Sequence, residues 1–133
     1  MSALARYFLA LGCHVGGYDK TETTLTKKLI NEGVNIHYED DFHLIDDAFK
    51  SKENTLIIIT PAIPKNNSEW NFFHQEGFEI LKRAQVLGRI TELNKSIGVA
   101  GTHGKTTTTS FLATILHESR LDPTYIIGGI VHN

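Results

Sequence analysis

Apolar positions near the start of the chain recur at helical spacing, with Ala3, Leu4, Tyr7, Phe8 and Leu11 on one face. Ser2 stands where a helix is capped and Gly12 where one stops, so the pattern predicts a helix over 2–11. A short strand over 13–18 follows. Leu25, Leu29 and Ile30 then mark a second helix, closed by Gly33. Residues 34–38 read as a strand and 42–49 as a short helix. The plainest strand is 55–60. Its run Leu56-Ile57-Ile58-Ile59 is unbroken, as in parallel strands covered on both faces, and Pro61 and Pro64 end it at once. Ser68 is placed to cap a helix that runs to Gln75 and is broken by Gly77; residues 78–81 read as an edge strand and 84–94 as a helix. A strand over 97–100 leads into a glycine-rich turn. A helix over 105–118 carries Phe111, Leu112, Ile115 and Leu116 on one face, and a last strand over 124–127 ends at Gly128-Gly129.

This alternation predicts an α/β fold, with a Rossmann-like, doubly wound parallel sheet over residues 1–95 and the start of a second domain over 96–133. The order is unusual at both ends. A sheet of this kind opens with a strand, whereas this chain opens with a helix. One strand–turn–helix–strand unit after Ser96 cannot cover its own sheet. Sequence is therefore expected to be missing on both sides. A sheet lacking its first, central strand is expected to leave backbone groups unpaired and to self-associate.

Composition narrows the class. With 41% hydrophobic and 21% charged residues and a net charge of -2, the chain offers no single-sign surface for nucleic acid or membrane. Its longest apolar run, 56–59, is far short of the roughly 20 residues a membrane helix needs, and no signal segment opens the chain. The runs Glu39-Asp40-Asp41 and Asp46-Asp47 read as solvated helix ends. The lone Cys13 excludes an internal disulfide and, among apolar neighbours, reads as a buried inert thiol. A reducing cytoplasm is the expected compartment.

The strongest chemical signal is Gly101-Thr102-His103-Gly104-Lys105-Thr106-Thr107-Thr108-Thr109, set between a predicted strand and a predicted helix. That is the context of a P-loop, in which glycines let backbone N–H groups converge on a phosphate at a helix N-terminus. Lys105 would reach the β and γ phosphates, and the Thr106 hydroxyl is placed to ligate Mg²⁺. The strict pattern wants glycine at position 99, where this chain has Val99, so the loop is a variant. Four consecutive threonines could also simply cap a helix. His103 could be a ligand or base, but with no second His at ligand spacing it reads as a residue lining a nucleotide site. Asp19, after the strand predicted over 13–18, could bind a ribose hydroxyl or serve as a turn residue.

Residues 101–109 resemble the ATP loop of the Mur ligases, GT(H/N)GKTT. The His103 form is similar to the alanine-adding and recycling branches of that family. Residues 1–6 resemble the stretch that follows the family's GIGGIG loop, and Gly17-Tyr18-Asp19 with Thr23-Thr24-Leu25-Thr26 its second strand and following helix. Thr60-Pro61-Ala62-Ile63 and Asn67-Ser68-Glu69 stand where the family has SSAI and NPE. Arg83-Ala84-Gln85-Val86-Leu87 matches RAEML, with Gln85 in place of Glu. The family's first strand and GIGGIG loop are absent, and Gly128-Gly129 resembles its IGG segment. The remaining Mg²⁺ ligands and the amino-acid-binding domain would lie beyond Asn133.

The resemblance implies an ATP- and Mg²⁺-dependent ligase of peptidoglycan precursor synthesis. ATP would phosphorylate the lactyl carboxylate of UDP-N-acetylmuramate, and the amine of L-alanine would attack the acyl phosphate. Repulsion between the carboxylate and the γ-phosphate is worth about 4 kcal/mol per charge pair at 4 Å and an effective dielectric of 20, and a cation must offset it. It implies Lys105 as the catalytic cation and Thr106 on the metal. Gly101, Thr102, His103, Gly104, Lys105, Thr106 and Thr107 would line the nucleotide, with Asp19, Thr60, Pro61 and Ala62 toward the UDP-sugar. The 133 residues alone are expected to be inactive. Three rivals stand beside this reading: a recycling ligase that attaches an intact tripeptide, an NAD-dependent oxidoreductase, and a non-catalytic Rossmann-like module.

Overall fold

The structure is a computed structural model that describes residues 1–127. It divides into two compact units, Met1–Asn94 and a second that begins at Lys95.

The first unit holds α1 (Ser2–Ala10), β1 (Gly16–Tyr18), α2 (Thr24–Asn31) and β2 (Asn35–His37). Two 3-10 turns follow (Phe42–Leu44 and Asp47–Phe49), then β3 (Leu56–Ile59), α3 (Ser68–Gln75), β4 (Glu79–Lys82) and α4 (Arg83–Glu92). β1 pairs with β2 from Gly16↔Asn35 to Tyr18↔His37, and β3 with β4 from Leu56↔Glu79 to Ile59↔Lys82. Both ladders are parallel and each is bridged by a helix, so the α/β class is as expected. They remain two separate two-stranded sheets, however, not one wound sheet. Leu56–Ile59 is accordingly half-buried, not covered on both faces as its apolar run predicts.

Local chemistry sets the element ends. At α2 the Thr23 hydroxyl accepts from the Thr26 amide at 3.1 Å while the Thr26 hydroxyl accepts from the Thr23 amide at 2.8 Å, a reciprocal capping box. Gly33 then ends the helix at φ 102°, a conformation that costs a residue without Cβ least. Two expected caps are displaced by one residue. Met1 precedes α1 without a side-chain bond, and Ser2 is already helical. Asn67, not Ser68, caps α3, its Oδ1 accepting from the Trp70 amide at 2.8 Å. The helix expected over 42–49 is instead two turns. Asp41 and Asp46 each accept from an amide two residues on, at His43 and Ala48, both at 2.9 Å, and these local bonds compete with a continuous helix.

The core gathers Ile45, Phe73 and Phe78, with Phe49, Ile57, Phe72 and Ile80 packed against them. Leu4 is sealed under α1 at 1% exposure. Cys13 is exposed, contrary to its apolar neighbourhood, because β1 begins only at Gly16 and the thiol falls in the connection after α1.

In the second unit α5 (Lys105–Glu118) has the predicted bounds. Residues 97–100 and 124–127 are not strands. A parallel strand exists only through ladder bonds to a neighbour, and among the described residues neither segment has one. Of the α5 face expected to be apolar, Phe111 is 66% and Ile115 61% exposed while Leu112 and Leu116 are half-buried, and Ala113 is the residue buried. Gly128-Gly129 lies outside the described residues. Among the described residues no helix is long and apolar enough to cross a membrane.

Candidate functional site

The first turn of α5 carries the candidate chemistry. Its N-cap is Gly104, at φ 73° and ψ 1°, and no side chain caps the helix. A helix leaves its first four N–H groups without intrahelical partners. Here the first bond inside the helix runs from the Thr108 amide to the Gly104 carbonyl at 2.9 Å. The amides ahead of it face an exposed loop, together with the positive end of the helix dipole. A left-handed N-cap suits glycine, because a side chain there would meet the strain of positive φ without providing a capping oxygen.

Lys105 folds back over the loop. Its Nζ donates to the Gly101 carbonyl at 2.6 Å and the Thr102 carbonyl at 3.2 Å. A hollow of about 300 Å³ is lined by Val99, Lys105, Thr106, Thr109, Ile126 and Ile127. Of the loop residues singled out by sequence, Lys105 and Thr106 reach this hollow. Gly101 and Thr102 contribute carbonyls to the lysine, His103 Nδ1 lies 3.2 Å from Thr102 Oγ1, and Thr107 does not line the hollow. Thr109, the last residue of the loop motif, carries no site role predicted from sequence; it stands one helical turn beyond Lys105 and lines the hollow. Its hydroxyl donates to the Lys105 carbonyl at 2.8 Å. Val99, which departs from the strict loop pattern, supplies an apolar wall.

In the first unit the candidate residues follow the C-terminal ends of parallel strands, where open α/β sheets bind ligands. Asp19 lies just after β1. Its Oδ1 accepts from the Thr21 amide at 3.1 Å, and its own amide donates to the His37 carbonyl at 3.2 Å. Thr60 is half-buried after β3, and its carbonyl accepts from the Ile63 amide at 3.3 Å; Pro61 and Ala62 are exposed. Beside them stand polar contacts that no local pattern announces. His37 Nε2, at the end of β2, is hydrogen-bonded to Glu69 Oε1 in the first turn of α3. Asp40 Oδ1 accepts from both the Ser68 amide and hydroxyl, at 2.8 and 2.7 Å. The Ser68 hydroxyl holds the Asp40 carboxyl below the usual carboxylate range.

Compared with known families, residues 1–95 match the family described as "Mur ligase family, catalytic domain". The chain belongs to the Mur ligase family. Among its relatives, a UDP-N-acetylmuramate–L-alanine ligase from Parabacteroides distasonis is 54% identical over all 133 residues, which make up 29% of that protein. A ligase of the same name from Flavobacterium psychrophilum is 56% identical over the whole chain and 30% of its own length. This Mur ligase chain thus spans under a third of those curated relatives. A solved Mur ligase structure also superimposes, that of UDP-N-acetylmuramate:L-alanyl-γ-D-glutamyl-meso-diaminopimelate ligase from Neisseria meningitides. The match has a TM-score of 0.83 and 28% identity, covering 98% of this chain and 40% of that one.

Proposed function

We propose that this chain serves an ATP-dependent ligase that joins L-alanine to the lactyl carboxylate of UDP-N-acetylmuramate. Residues 1–95 would take the UDP-sugar and 96–133 would begin the ATP-binding domain. The observation that carries the reading is the start of α5, where an uncapped helix, a left-handed Gly104 and the Lys105 ammonium meet beside a hollow.

On this reading Gly101 to Thr107 hold the terminal phosphates. Main-chain amides of the first turn donate to phosphate oxygens, and Lys105 exchanges its two carbonyl partners for anionic ones. The same ammonium offsets the repulsion between carboxylate and γ-phosphate and stabilises charge on the transferring phosphoryl group. The Thr106 hydroxyl, on the wall of the hollow, is the protein oxygen that would hold Mg²⁺; bound there, the ion would neutralise phosphate charge. Its donor set fits only in part, since the described residues hold no group of three His, Cys, Asp or Glu placed for a metal, and the other oxygens would come from ATP and water. Asp19, Thr60, Pro61 and Ala62 would face the UDP-sugar.

An assay of phosphate release by the whole protein tests this. Release is expected to require ATP, UDP-N-acetylmuramate and L-alanine together. Release with the tripeptide L-alanyl-γ-D-glutamyl-meso-diaminopimelate but not with L-alanine would transfer the assignment to the recycling activity, and release with neither would end it. The identities of 54% and 56% to alanine ligases, against 28% to the tripeptide ligase, favour the alanine reading.

For the 133 residues alone, the partner we propose is a second copy. Among the described residues each strand has a ladder on one edge only, and an unpaired edge is a template for pairing. Sedimentation of the isolated chain is expected to show concentration-dependent mass; a monomer at every concentration would exclude pairing.

A further inference from the structure

The end of β2 sends successive polar side chains to two different helices. Tyr38 donates through its hydroxyl to Thr26 Oγ1 in α2 at 2.9 Å, whereas His37 bonds Glu69 in α3. Tyr38 directly follows the last residue of β2, so the two contacts tie different helices to the same strand end. The α3 contact is the more enclosed. The side chains of His37 and Glu69 are 19% and 11% exposed, and Glu69 and the cap Asn67 are two of three polar residues buried among those described. Burial pushes the Glu69 carboxyl above its usual range, the His37 imidazole pulls it down, and Asp40 and Asp41 push it up again. Burying such a group is costly, and one bonded to a residue 32 positions away fixes the geometry between two elements.

That geometry governs the candidate sugar-facing loop. The loop leaves β3 at Thr60 and enters α3 at Asn67, whose amide donates to the Pro64 carbonyl at 3.1 Å. Its far end is thus fixed wherever the α3 N-terminus is fixed. Two side chains of the segment leaving β2 hold that N-terminus: Asp40, exposed and bonded to the Ser68 amide and hydroxyl, and His37, enclosed and bonded to Glu69. Exposed contacts contribute little rigidity, which leaves the enclosed pair as the stronger constraint. Tyr18, in register with His37 at the end of β1, has its ring centroid 6.0 Å from the imidazole, so the pair sits where the ends of β1 and β2 meet α3.

We propose that His37 and Glu69 form a positioning pair for the nucleotide-sugar, locking the 60–67 loop against the end of β2 so that substrate affinity depends on their hydrogen bond. This rests on the ligase reading above. Neither residue is assigned to the transferring groups. Removing the bond should therefore raise KM for UDP-N-acetylmuramate and spare kcat at saturating sugar.

The test is steady-state kinetics of the whole protein carrying His37→Phe, His37→Gln or Glu69→Ala. His37→Phe and Glu69→Ala are expected to raise the sugar KM by about tenfold to a hundredfold, the scale of a misplaced contact, with kcat and the ATP KM little changed. His37→Gln, whose side-chain amide can donate from nearly the position of Nε2, is expected to recover most of the loss. A purely structural role would not survive this split, since it would lower kcat, ATP affinity and melting temperature together in His37→Phe and Glu69→Ala. That outcome, or an unchanged sugar KM in His37→Phe, overturns the pair's role. A wild-type protein that does not use the sugar overturns the ligase reading and this extension with it, whereas an active wild type with an indifferent His37→Phe overturns the extension alone.

Discussion

Lys105→Ala is expected to lower ATP turnover by the whole protein by about 10²- to 10³-fold, the usual effect of removing one donor aimed at developing charge. The side chain is exposed and its two hydrogen bonds go to loop carbonyls, so its loss should leave the melting temperature nearly unchanged. Those bonds show how the residue is held ready. With Nζ at 2.6 Å from the Gly101 carbonyl, the ammonium is bent over the loop that would surround a phosphate. A phosphate oxygen carries more negative charge than a carbonyl, so the ammonium gains attraction on the exchange, which favours the nucleotide. Lys105→Arg is not conservative here, because a planar fork presents its donors in a fixed geometry and does not act as a compact charge. Kinetics with ATP varied, beside calorimetric titration of the 133-residue chain with ATP, would check the effect. A variant retaining more than about a tenth of wild-type turnover would remove Lys105 from the mechanism.

The loop was legible in sequence because its chemistry is local. Gly104, Lys105 and Thr106 are consecutive in the chain, and the spacing proposed for an anion site also starts a helix. Asn67 and Ser68 show where local reading stops. Both are good caps, and the choice falls to Asn67 because the Ser68 amide and hydroxyl are taken by Asp40, 28 residues away. His37 and Glu69 are farther apart still, and no periodicity marks a pair joined only by tertiary packing. Strand prediction failed in a related way. Residues 97–100 have strand-like composition, as do 56–59, yet among the described residues only the second run has a ladder partner, Glu79–Lys82. Apolar character puts a segment in a strand only when a neighbour is there to receive its backbone.

Phe73→Ala should be the most damaging single change to the first unit, at about 3–5 kcal/mol. The ring is 7% exposed and sits at the junction of three elements. It meets Phe78 edge-on at 4.9 Å and 76°, and Phe72 at 5.3 Å and 69°, while Ile45 closes the cluster from the loop after β2. Truncation would lose the transfer free energy of the ring and both edge contacts, and leave a cavity that the short helix α3 cannot fill without leaving β3 and β4. Against a domain stability of about 5–15 kcal/mol, that is roughly a fifth of the total or more. The urea midpoint should fall sharply with little change in slope, whereas Phe73→Leu, which keeps most of the volume, should lose less than half as much. The loss would also reach the sugar-facing loop, because Phe73 is one turn beyond Glu69 on the same helix and holds α3 down while His37 aligns its first turn. A Phe73→Ala protein with an unmoved midpoint would mean that the aromatic cluster is not what seats α3, and the position of the 60–67 loop would then need another cause.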